Sequence, residues 1–201
     1  MIISLDSFDH GDLSAVHLAA LRDRSVLSLG FASGGRRRSE LTSLDCADIE
    51  RRIWTGQDGA GGSAPAVFLH LGRTKTTDAQ DDLQVAVIGR AVADLDAWLV
   101  AAEISAGPIF RPVDRWGSVG QAPLSPQTVN RIVKKRLGDA GFDAASYSAH
   151  GLRSGYLTEA FLQGLSLPEA MSQSGHKSVN QAASYFKAFD RLSGRAARLL
   201  D

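Results

Sequence analysis

Residues 49–54 (IERRIW), 66–71 (AVFLHL) and 83–88 (LQVAVI) are three short segments rich in β-branched and aromatic side chains. Alternation of apolar and polar residues in such segments is typical of strands with one buried face. The connections between them, GQDGAGGSAP and GRTKTTDAQDD, are glycine-rich or polar, as turns and loops are. Since consecutive strands joined in this way pair side by side, the sequence predicts a small three-stranded antiparallel sheet.

Helical patterns precede and follow the predicted sheet. Before it, apolar periodicity predicts helices at about 13–20 and 22–32 and a short helix around 39–44. After it, helices are expected at about 91–104 and 125–137, from 148, from 167, at 178–186 and at 192–200. This order predicts the α+β class: a mainly α-helical domain with one small sheet.

The composition indicates one folded domain. Of 201 residues, 44% are hydrophobic and 22% are charged, which argues against a disordered chain. The single cysteine, Cys46, excludes an internal disulfide and a metal site built on several thiolates. No apolar run reaches the roughly 18 residues that a membrane helix needs, and the first residues lack a signal-peptide pattern. We therefore expect a cytoplasmic protein without membrane contact.

The charges balance overall but are unevenly distributed. The chain has 22 basic and 22 acidic residues, and a net charge of zero does not by itself favour nucleic-acid binding. Residues 1–110 carry 10 basic and 15 acidic side chains, whereas residues 111–201 carry 12 basic and 7 acidic ones. This asymmetry is compatible with a basic face or with chance clustering.

Three features of the C-terminal half suggest chemistry on an anion. The segment HGLR at 150–153 puts an imidazole and a guanidinium on one face of a helix. Arginine binds phosphate oxygens bidentately, and histidine transfers protons near neutral pH. His176 follows a glycine just before a predicted helix, and Tyr185 lies nine residues later. Each feature alone is also compatible with a packing or surface role.

Two basic clusters lie in the N-terminal half. The segment GGRRRSEL at 34–41 places three arginines at a helix start, where at least one would reach an anion and the others would be solvated. Glu40 is a candidate partner for one of them. Arg73 and Lys75 lie in the polar turn between two predicted strands. A lysine in such a turn commonly discourages edge pairing, but it is also placed to give a proton to a bound ligand.

Together and in this order, the motifs resemble the catalytic domain of the tyrosine recombinases, the phage integrase family. The segments GRTKT and SVNQAASY and the tail from Asp190 resemble the Cre-type branch. The resemblance starts near Leu21 and extends to the C-terminus. It implies the integrase catalytic-domain fold, activity without metal or other cofactor, and six catalytic residues: Arg37, Lys75, His150, Arg153, His176 and Tyr185.

The register of the first catalytic arginine is the least constrained of the six. Arg37 is assigned because it lies two residues before Ser39-Glu40-Leu41. Family members usually have an aliphatic residue on each side of this arginine, whereas Arg36 and Arg38 occupy those positions here. The triplet therefore leaves three possible registers, of which Arg37 fits the pattern best.

The resemblance implies DNA strand cleavage and rejoining by transesterification. Tyr185 would attack a backbone phosphorus, forming a 3′-phosphotyrosyl link and releasing a 5′-hydroxyl. His150 would accept the phenolic proton, and Lys75 would protonate the departing 5′-oxygen. Tyr156 is the competing nucleophile, because it lies one turn after Arg153, but its apolar neighbours favour a core position.

The remaining groups of the implied centre would bind the phosphate. Arg37 and Arg153 would hold its non-bridging oxygens, and His176 would donate a hydrogen bond to it. Double-stranded DNA is the implied partner, with assembly as a tetramer on DNA for a full recombinase. Further backbone contacts are expected from Arg73, Arg111, Arg115, Arg131, Lys134 and Lys135, although a solvated helix face is an equal alternative.

The implied organisation is one catalytic domain over residues 1–201, with a lead-in helix within 1–20. Only about 20 residues precede the resemblance, too few for the N-terminal core-binding domain that family members carry; a fragment and a short variant are both compatible with this. The segment 190–201 is expected to form a helix that packs on its own domain or on a neighbour. Alternatives for function are a type IB topoisomerase-like nicking-closing enzyme, a non-catalytic DNA-binding remnant, and a metal hydrolase that uses His150 and His176.

Overall fold

The computed structural model describes residues 15–56, 62–71, 83–183 and 185. Residues 179–183 and 185 are helical. The elements named below, in chain order, are α1 (Ala15–Ala32), α2 (Arg38–Thr42), β1 (Ile49–Thr55), β2 (Ser63–Leu71), β3 (Leu83–Ile88), α3 (Arg90–Ala101), α4 (Pro126–Asp139), α5 (Gly151–Leu162) and α6 (Leu167–Ser174). The predicted α+β class, mainly helical with one small sheet, is confirmed.

The three strands form an antiparallel sheet in the order β1-β2-β3, as predicted. Val67 pairs with Val87 and Leu69 pairs with Val85, and all four side chains are buried. Helix α3 packs against the sheet in the same hydrophobic core, to which it contributes the fully buried Trp98. The indole Nε1 of Trp98 donates to the carbonyl of Ile109 at 2.9 Å, so its polar edge is satisfied within the core.

Helix α1 is one continuous helix, and the prediction of two helices that meet near residue 21 is wrong. Arg22 and Asp23 lie where the two predicted helices would meet, and both side chains are buried and bonded to each other, with Arg22 Nη2 2.7 Å from Asp23 Oδ1. The other carboxylate oxygen of Asp23 lies 2.8 Å from Nη2 of Arg136 on α4. A polar pair that is satisfied inside the fold does not interrupt a helix.

A smaller hydrophobic cluster lies apart from the main core and joins the C-terminal helical segments. Its buried members are Leu157 and Ala160 of α5, Ala170 of α6, and Ala182. The rings of Tyr156 and Tyr185 pack against it. This packing brings Tyr185 beside the beginning of α5, where His150 and Arg153 lie.

Several predictions concern residues beyond the described part of the chain: the lead-in before residue 15, the turn with Arg73 and Lys75, and the segment 190–201. Within the described ranges, no helix has both the length and the apolar character that crossing a membrane would require.

Candidate active site

His150 and Arg153 lie at the start of α5, which begins at Gly151 and not at the predicted residue 148. His150 is the residue before the first helical one and is exposed, whereas Arg153, one turn later, is buried. The backbone beside His150 is held by α4, because Asn130 Oδ1 accepts a hydrogen bond from the amide of Ala149 at 2.9 Å. The start of α5 is therefore positioned by a side chain of another helix.

The Arg153 guanidinium uses three of its five N–H groups inside the protein. Nε donates to Nε2 of His176 at 3.1 Å, and Nη1 donates to the carbonyl of Ser174 at 2.7 Å and to that of Gly35 at 3.4 Å. Nη2 has no hydrogen-bond partner among the described residues. Burial lowers the pKa of Arg153, and the nearby charge of Arg37 adds to this effect. The group nevertheless stays protonated, as arginine does in proteins.

The turn before α2 approaches α5 and α6 so closely that only glycine fits. Gly34 and Gly35 have φ values of +96° and +71°. A Cβ on Gly35 would lie 2.2 Å from Cα of Arg153, and a Cβ on Gly34 would lie 2.3 Å from the carbonyl oxygen of Gln173. Because these positions lack side chains, the arginine triplet begins directly beside Arg153.

The three arginines of the triplet have different environments. Arg36 is 3% exposed, and it donates from Nε to the Ser33 carbonyl at 2.7 Å and from Nη2 to the Gln173 carbonyl. Burial lowers its pKa to about 10. Arg37 is exposed, with Nη1 2.9 Å from Oε1 of Glu40, so the expected pairing of Glu40 with an arginine is confirmed. The expectation that the other arginines would be solvated is wrong for Arg36, because backbone carbonyls compensate its burial.

The Tyr185 hydroxyl lies 3.4 Å from Nε2 of His150, a long hydrogen bond. The rings of Tyr185 and His176 are also neighbours, with centroids 6.5 Å apart. Such contacts are often long in free enzymes and shorten when substrate binds. A phenol, two imidazoles and the Arg153 guanidinium thus come together from three separate segments of the chain.

Tyr156 has the environment of a packing residue. Its ring meets that of Phe31 edge to face, with centroids 5.9 Å apart, and joins the smaller hydrophobic cluster. Burial raises the pKa of its phenol, which disfavours the phenolate. The expectation that Tyr156 belongs to the core is confirmed.

His176 is buried directly after Gly175, whose left-handed backbone ends α6. Its Nδ1 lies 2.7 Å from Oγ of Ser174, and its Nε2 accepts from Arg153. Burial, reinforced by the surrounding positive charges, lowers the pKa of His176 to about 4. The imidazole is therefore neutral near pH 7, and both ring nitrogens are engaged within the protein.

A cavity of about 500 Å³ is lined by His150 and Arg153 of this group, and not by His176 or Tyr185. Its walls come from the turn before α2, the start of α4 and the start of α5, and its lining is strongly basic. The lining residues are Arg36, Arg37, Arg38, Ser39, Pro126, Asn130, Ser148, Ala149, His150 and Arg153. The described residues contain no cluster of three or more histidine, cysteine or acidic side chains suited to a metal ion.

Arg111 and Arg115, two further expected DNA contacts, have different environments. Arg111 is buried, and it donates to the carbonyls of Pro108 and Ala106 and to Oε1 of Gln121. A DNA contact by Arg111 stays a prediction, and the burial of this side chain disfavours it because its donors hold the loop before α4. Arg115 lies over the ring of Trp116 at 4.0 Å.

The basic residues of α4 also differ from one another. Arg131 and Lys135 are exposed and Lys134 is half-buried. Lys135 forms an ion pair with Asp139 at 2.8 Å. Asn130 and the buried Arg36 hold the backbone around the site, a role that was not predicted from the sequence. The only sequence signal for them is the unusual arginine at position 36, where family members have an aliphatic residue.

Comparison with protein families identifies the chain. Residues 12–191 match the model of the phage integrase family, which covers most of the 201 residues. The chain therefore belongs to the phage integrase family.

Relatives of both the Xer and the Cre type are similar to it. The chain is 34% identical over 188 residues to the integrase/recombinase xerD homolog of Selenomonas ruminantium, a match that covers 90% of this chain and 50% of that protein. It is 23% identical over 192 residues to the recombinase cre of Escherichia phage P1, covering 89% of this chain and 53% of that one. The chain thus spans about half the length of these relatives, and the Cre-type branch is not singled out.

Solved recombinase structures share the fold. XerA recombinase superposes with a TM-score of 0.59 at 19% identity, over 92% of this chain and 57% of that one. XerH in a post-cleavage complex with a difH substrate gives 0.59 at 20% identity, over 90% and 46% of the two chains. At these identities the likeness establishes the architecture alone.

Proposed function

We propose that this chain is the catalytic domain of a site-specific DNA recombinase, which cleaves and rejoins DNA strands through a 3′-phosphotyrosyl intermediate. The observation that carries the proposal is the meeting of Tyr185 Oη with His150 Nε2 at 3.4 Å, beside the guanidinium of Arg153. Family membership and the xerD-like relative support the same chemistry. The substrate class is double-stranded DNA, and the place of action is the cytoplasm.

Cleavage transfers the scissile phosphoryl group from the 5′-oxygen of the DNA to the phenolic oxygen of Tyr185. The phenolic oxygen of Tyr185 attacks the scissile phosphorus while its proton passes to Nε2 of His150. The bond between phosphorus and the 5′-oxygen breaks, and Lys75 gives that oxygen a proton. Because the phosphotyrosyl ester conserves the bond, a 5′-hydroxyl can reverse the step and rejoin the strands without an external energy source.

The basic cavity stabilises charge on the phosphoryl group. Nη2 of Arg153 and the guanidinium of Arg37 would donate to the non-bridging oxygens, which is supported by the position of both residues in the cavity wall. Preorganised donors of this kind commonly contribute the largest share of stabilisation to a transition state. His150, His176, Lys75 and Tyr185 complete the six groups of the proposed centre. His176 acts there through Arg153 and not as the expected phosphate donor, because its Nε2 accepts from that guanidinium and its Nδ1 faces Ser174.

The remaining contacts of the proposal concern affinity and assembly. Arg115, Arg131, Lys134 and Lys135 would meet phosphates away from the cleavage point, as Arg73 would from its turn. We further propose that this chain self-associates on its DNA, as its resemblance to the tyrosine recombinases implies.

The decisive experiment is covalent capture of DNA. The purified chain is incubated with a library of random-sequence duplexes, each with a nick that lets the short 5′-hydroxyl strand diffuse away after cleavage. Denatured protein–DNA adducts are recovered, the DNA is sequenced, and the modified residue is mapped by peptide mass spectrometry. We expect adducts on Tyr185, abolished in Tyr185→Phe and retained in Tyr156→Phe.

Other outcomes would replace the proposal. Adducts that persist in Tyr185→Phe and disappear in Tyr156→Phe would reassign the nucleophile. DNA binding without any adduct would indicate a non-catalytic DNA-binding protein. Relaxation of supercoiled plasmid without exchange between two captured sites would indicate a nicking-closing enzyme.

A further inference from the structure

We infer that Ser174 is a positioning residue of this centre: its hydroxyl sets the tautomer of His176 and, through that ring, the orientation of the Arg153 guanidinium. The effect of Ser174 on cleavage rests on the proposed function. Its effect on the imidazole is a property of the folded chain and can be tested without DNA.

The argument begins with donors and acceptors. An arginine is protonated in a protein, so Nε of Arg153 can only donate. Its partner at 3.1 Å, Nε2 of His176, must therefore accept and carries no hydrogen. A neutral imidazole has one N–H, which then belongs to Nδ1. Nδ1 lies 2.7 Å from Oγ of Ser174, so the hydroxyl oxygen accepts from the ring.

The hydroxyl hydrogen of Ser174 also has an acceptor. The carbonyl of Met171, one turn earlier in α6, lies 3.5 Å from Oγ, at the long end of a hydrogen bond. The donors therefore run in one direction, from Arg153 to His176 and from His176 to Ser174, and end on the helix backbone. The carbonyl of Ser174 closes the arrangement, because it accepts from Nη1 of Arg153 at 2.7 Å.

Removal of the hydroxyl would disturb this order. The Nδ1–H of His176 would be buried without an acceptor, which disfavours that tautomer. The other tautomer, with hydrogen on Nε2, would then compete. In that tautomer Nε2–H and the Nε–H of Arg153 are two donors facing each other, so the guanidinium loses one of the contacts that orient it.

The orientation of the Arg153 guanidinium matters because it decides which of its nitrogens can bind a ligand. With Nε and Nη1 engaged inside the protein, Nη2 is the nitrogen of Arg153 left for an anion in the basic cavity. Ser174 itself is fully buried and is not among the residues that line this cavity. It acts on the site only through the ring of His176.

The first test reads the tautomer directly. Nitrogen-15 NMR of histidine-labelled full chain at neutral pH distinguishes protonated from unprotonated ring nitrogens. We expect hydrogen on Nδ1 of His176 in the wild type and in Ser172→Ala, a control that removes an exposed hydroxyl from the same helix. Ser174→Ala is expected to populate the Nε2–H form. Hydrogen on Nε2 in the wild type, or an unchanged spectrum in Ser174→Ala, would overturn the inference.

The second test measures cleavage of a nicked duplex recovered by covalent capture. Ser174→Ala is expected to form adduct roughly 10-fold more slowly with DNA affinity unchanged. Ser174→Cys, whose sulfur is a weaker acceptor, should be intermediate, and it serves in place of the alanine variant if that one does not fold. Wild-type rates in both variants would overturn the positioning role. If the wild type forms no adduct at all, the proposed function fails, while the NMR result still decides the tautomer.

Discussion

Residue type alone does not settle what an arginine does, as the triplet at 36–38 illustrates. Arg36 is buried on two backbone carbonyls, Arg37 pairs with Glu40 at the surface of the cavity, and Arg38 is exposed at the start of α2. A guanidinium can be buried where several acceptors surround its donors, and it remains exposed where they do not. The backbone path after Gly35 decides which of the three meets each condition.

Substitutions in the triplet should separate catalysis from stability. We expect Arg37→Ala to reduce the adduct rate by roughly 10²–10³-fold, as loss of one preorganised donor does, with little change in unfolding. Arg36→Met should instead lower the free energy of unfolding by about 2 kcal/mol, because buried carbonyls lose their donor. Arg38→Ala is the control. Single-turnover assays and urea unfolding measure both effects, and equal rate losses in Arg37→Ala and Arg38→Ala would contradict the assigned register.

His176 should make stability depend on pH. Its pKa is lowered from 6.5 to about 4, chiefly by burial. The unfolded state therefore binds a proton first, so the contribution is complete above about pH 6.5 and is lost as the pH falls toward 4. The slope is at most about 1.4 kcal/mol per pH unit. Urea unfolding between about pH 5 and pH 7 should show this slope in the wild type and not in His176→Asn; parallel curves would contradict it.

At the scale of elements, the site depends on how closely a turn approaches two helices. Gly34 and Gly35 let the chain pass within van der Waals distance of the backbones of α5 and α6, so that Arg37, Arg153 and His150 share one cavity. The helices contribute their ends, where side chains and free backbone groups are accessible. None of these elements is long, and their arrangement comes from contacts at their termini.

A methyl group at position 35 should therefore separate the elements. Gly35→Ala puts Cβ 2.2 Å from Cα of Arg153 in a left-handed backbone, and we expect a loss of several kcal/mol or a displaced turn, with adduct formation abolished. Gly138→Ala is the control, because a Cβ there meets nothing within 4 Å in helix α4. That variant should gain up to about 1 kcal/mol. Calorimetry and covalent capture compare the two, and retained activity in Gly35→Ala would refute the close approach.

At the scale of the whole molecule, a buried ion network fixes α4 to α1. Asp23 is bonded to Arg22 in its own helix and to Arg136 of α4, and the carboxylate is almost inaccessible. Helix α4 in turn supplies Asn130, which holds the backbone next to His150. A contact remote from the cavity thus determines where one wall of the cavity lies.

Loss of the Asp23 carboxylate should be strongly destabilising. Asp23→Asn leaves the mostly buried guanidinium of Arg22 without its counter-ion and Arg136 with only Asp139, and we expect a decrease of about 3 kcal/mol in the free energy of unfolding. Asp139→Asn is the matched control, because Asp139 also pairs with Arg136 but is half-exposed. Its effect should stay within about 1 kcal/mol. Denaturant titration measures the free energy of unfolding of both variants. Similar decreases in the two would contradict the larger contribution assigned to the buried ion network.

The sequence was informative wherever local pattern and residue order carry the signal. The three strands followed from period-two alternation, and the fold class from the order of the elements. His150, Arg153, His176 and Tyr185 could be recognised because they lie in short motifs, HGLR at 150–153 and Gly175-His176, with Tyr185 nine residues after His176. The break predicted near residue 21 does not exist, because Arg22 and Asp23 are satisfied inside the fold by each other and by Arg136, which is remote in the sequence.

Residue order and spacing therefore determined the fold class, the family and the candidate side chains of this protein. Three-dimensional packing determined which arginine is buried, which ring nitrogen of His176 carries hydrogen, and which groups face the same cavity. The reason is that these properties depend on partners far apart in the chain, such as Gly35 with Arg153 and Asp23 with Arg136. Periodicity and motifs describe only near neighbours, whereas burial and hydrogen-bond direction arise when remote segments meet.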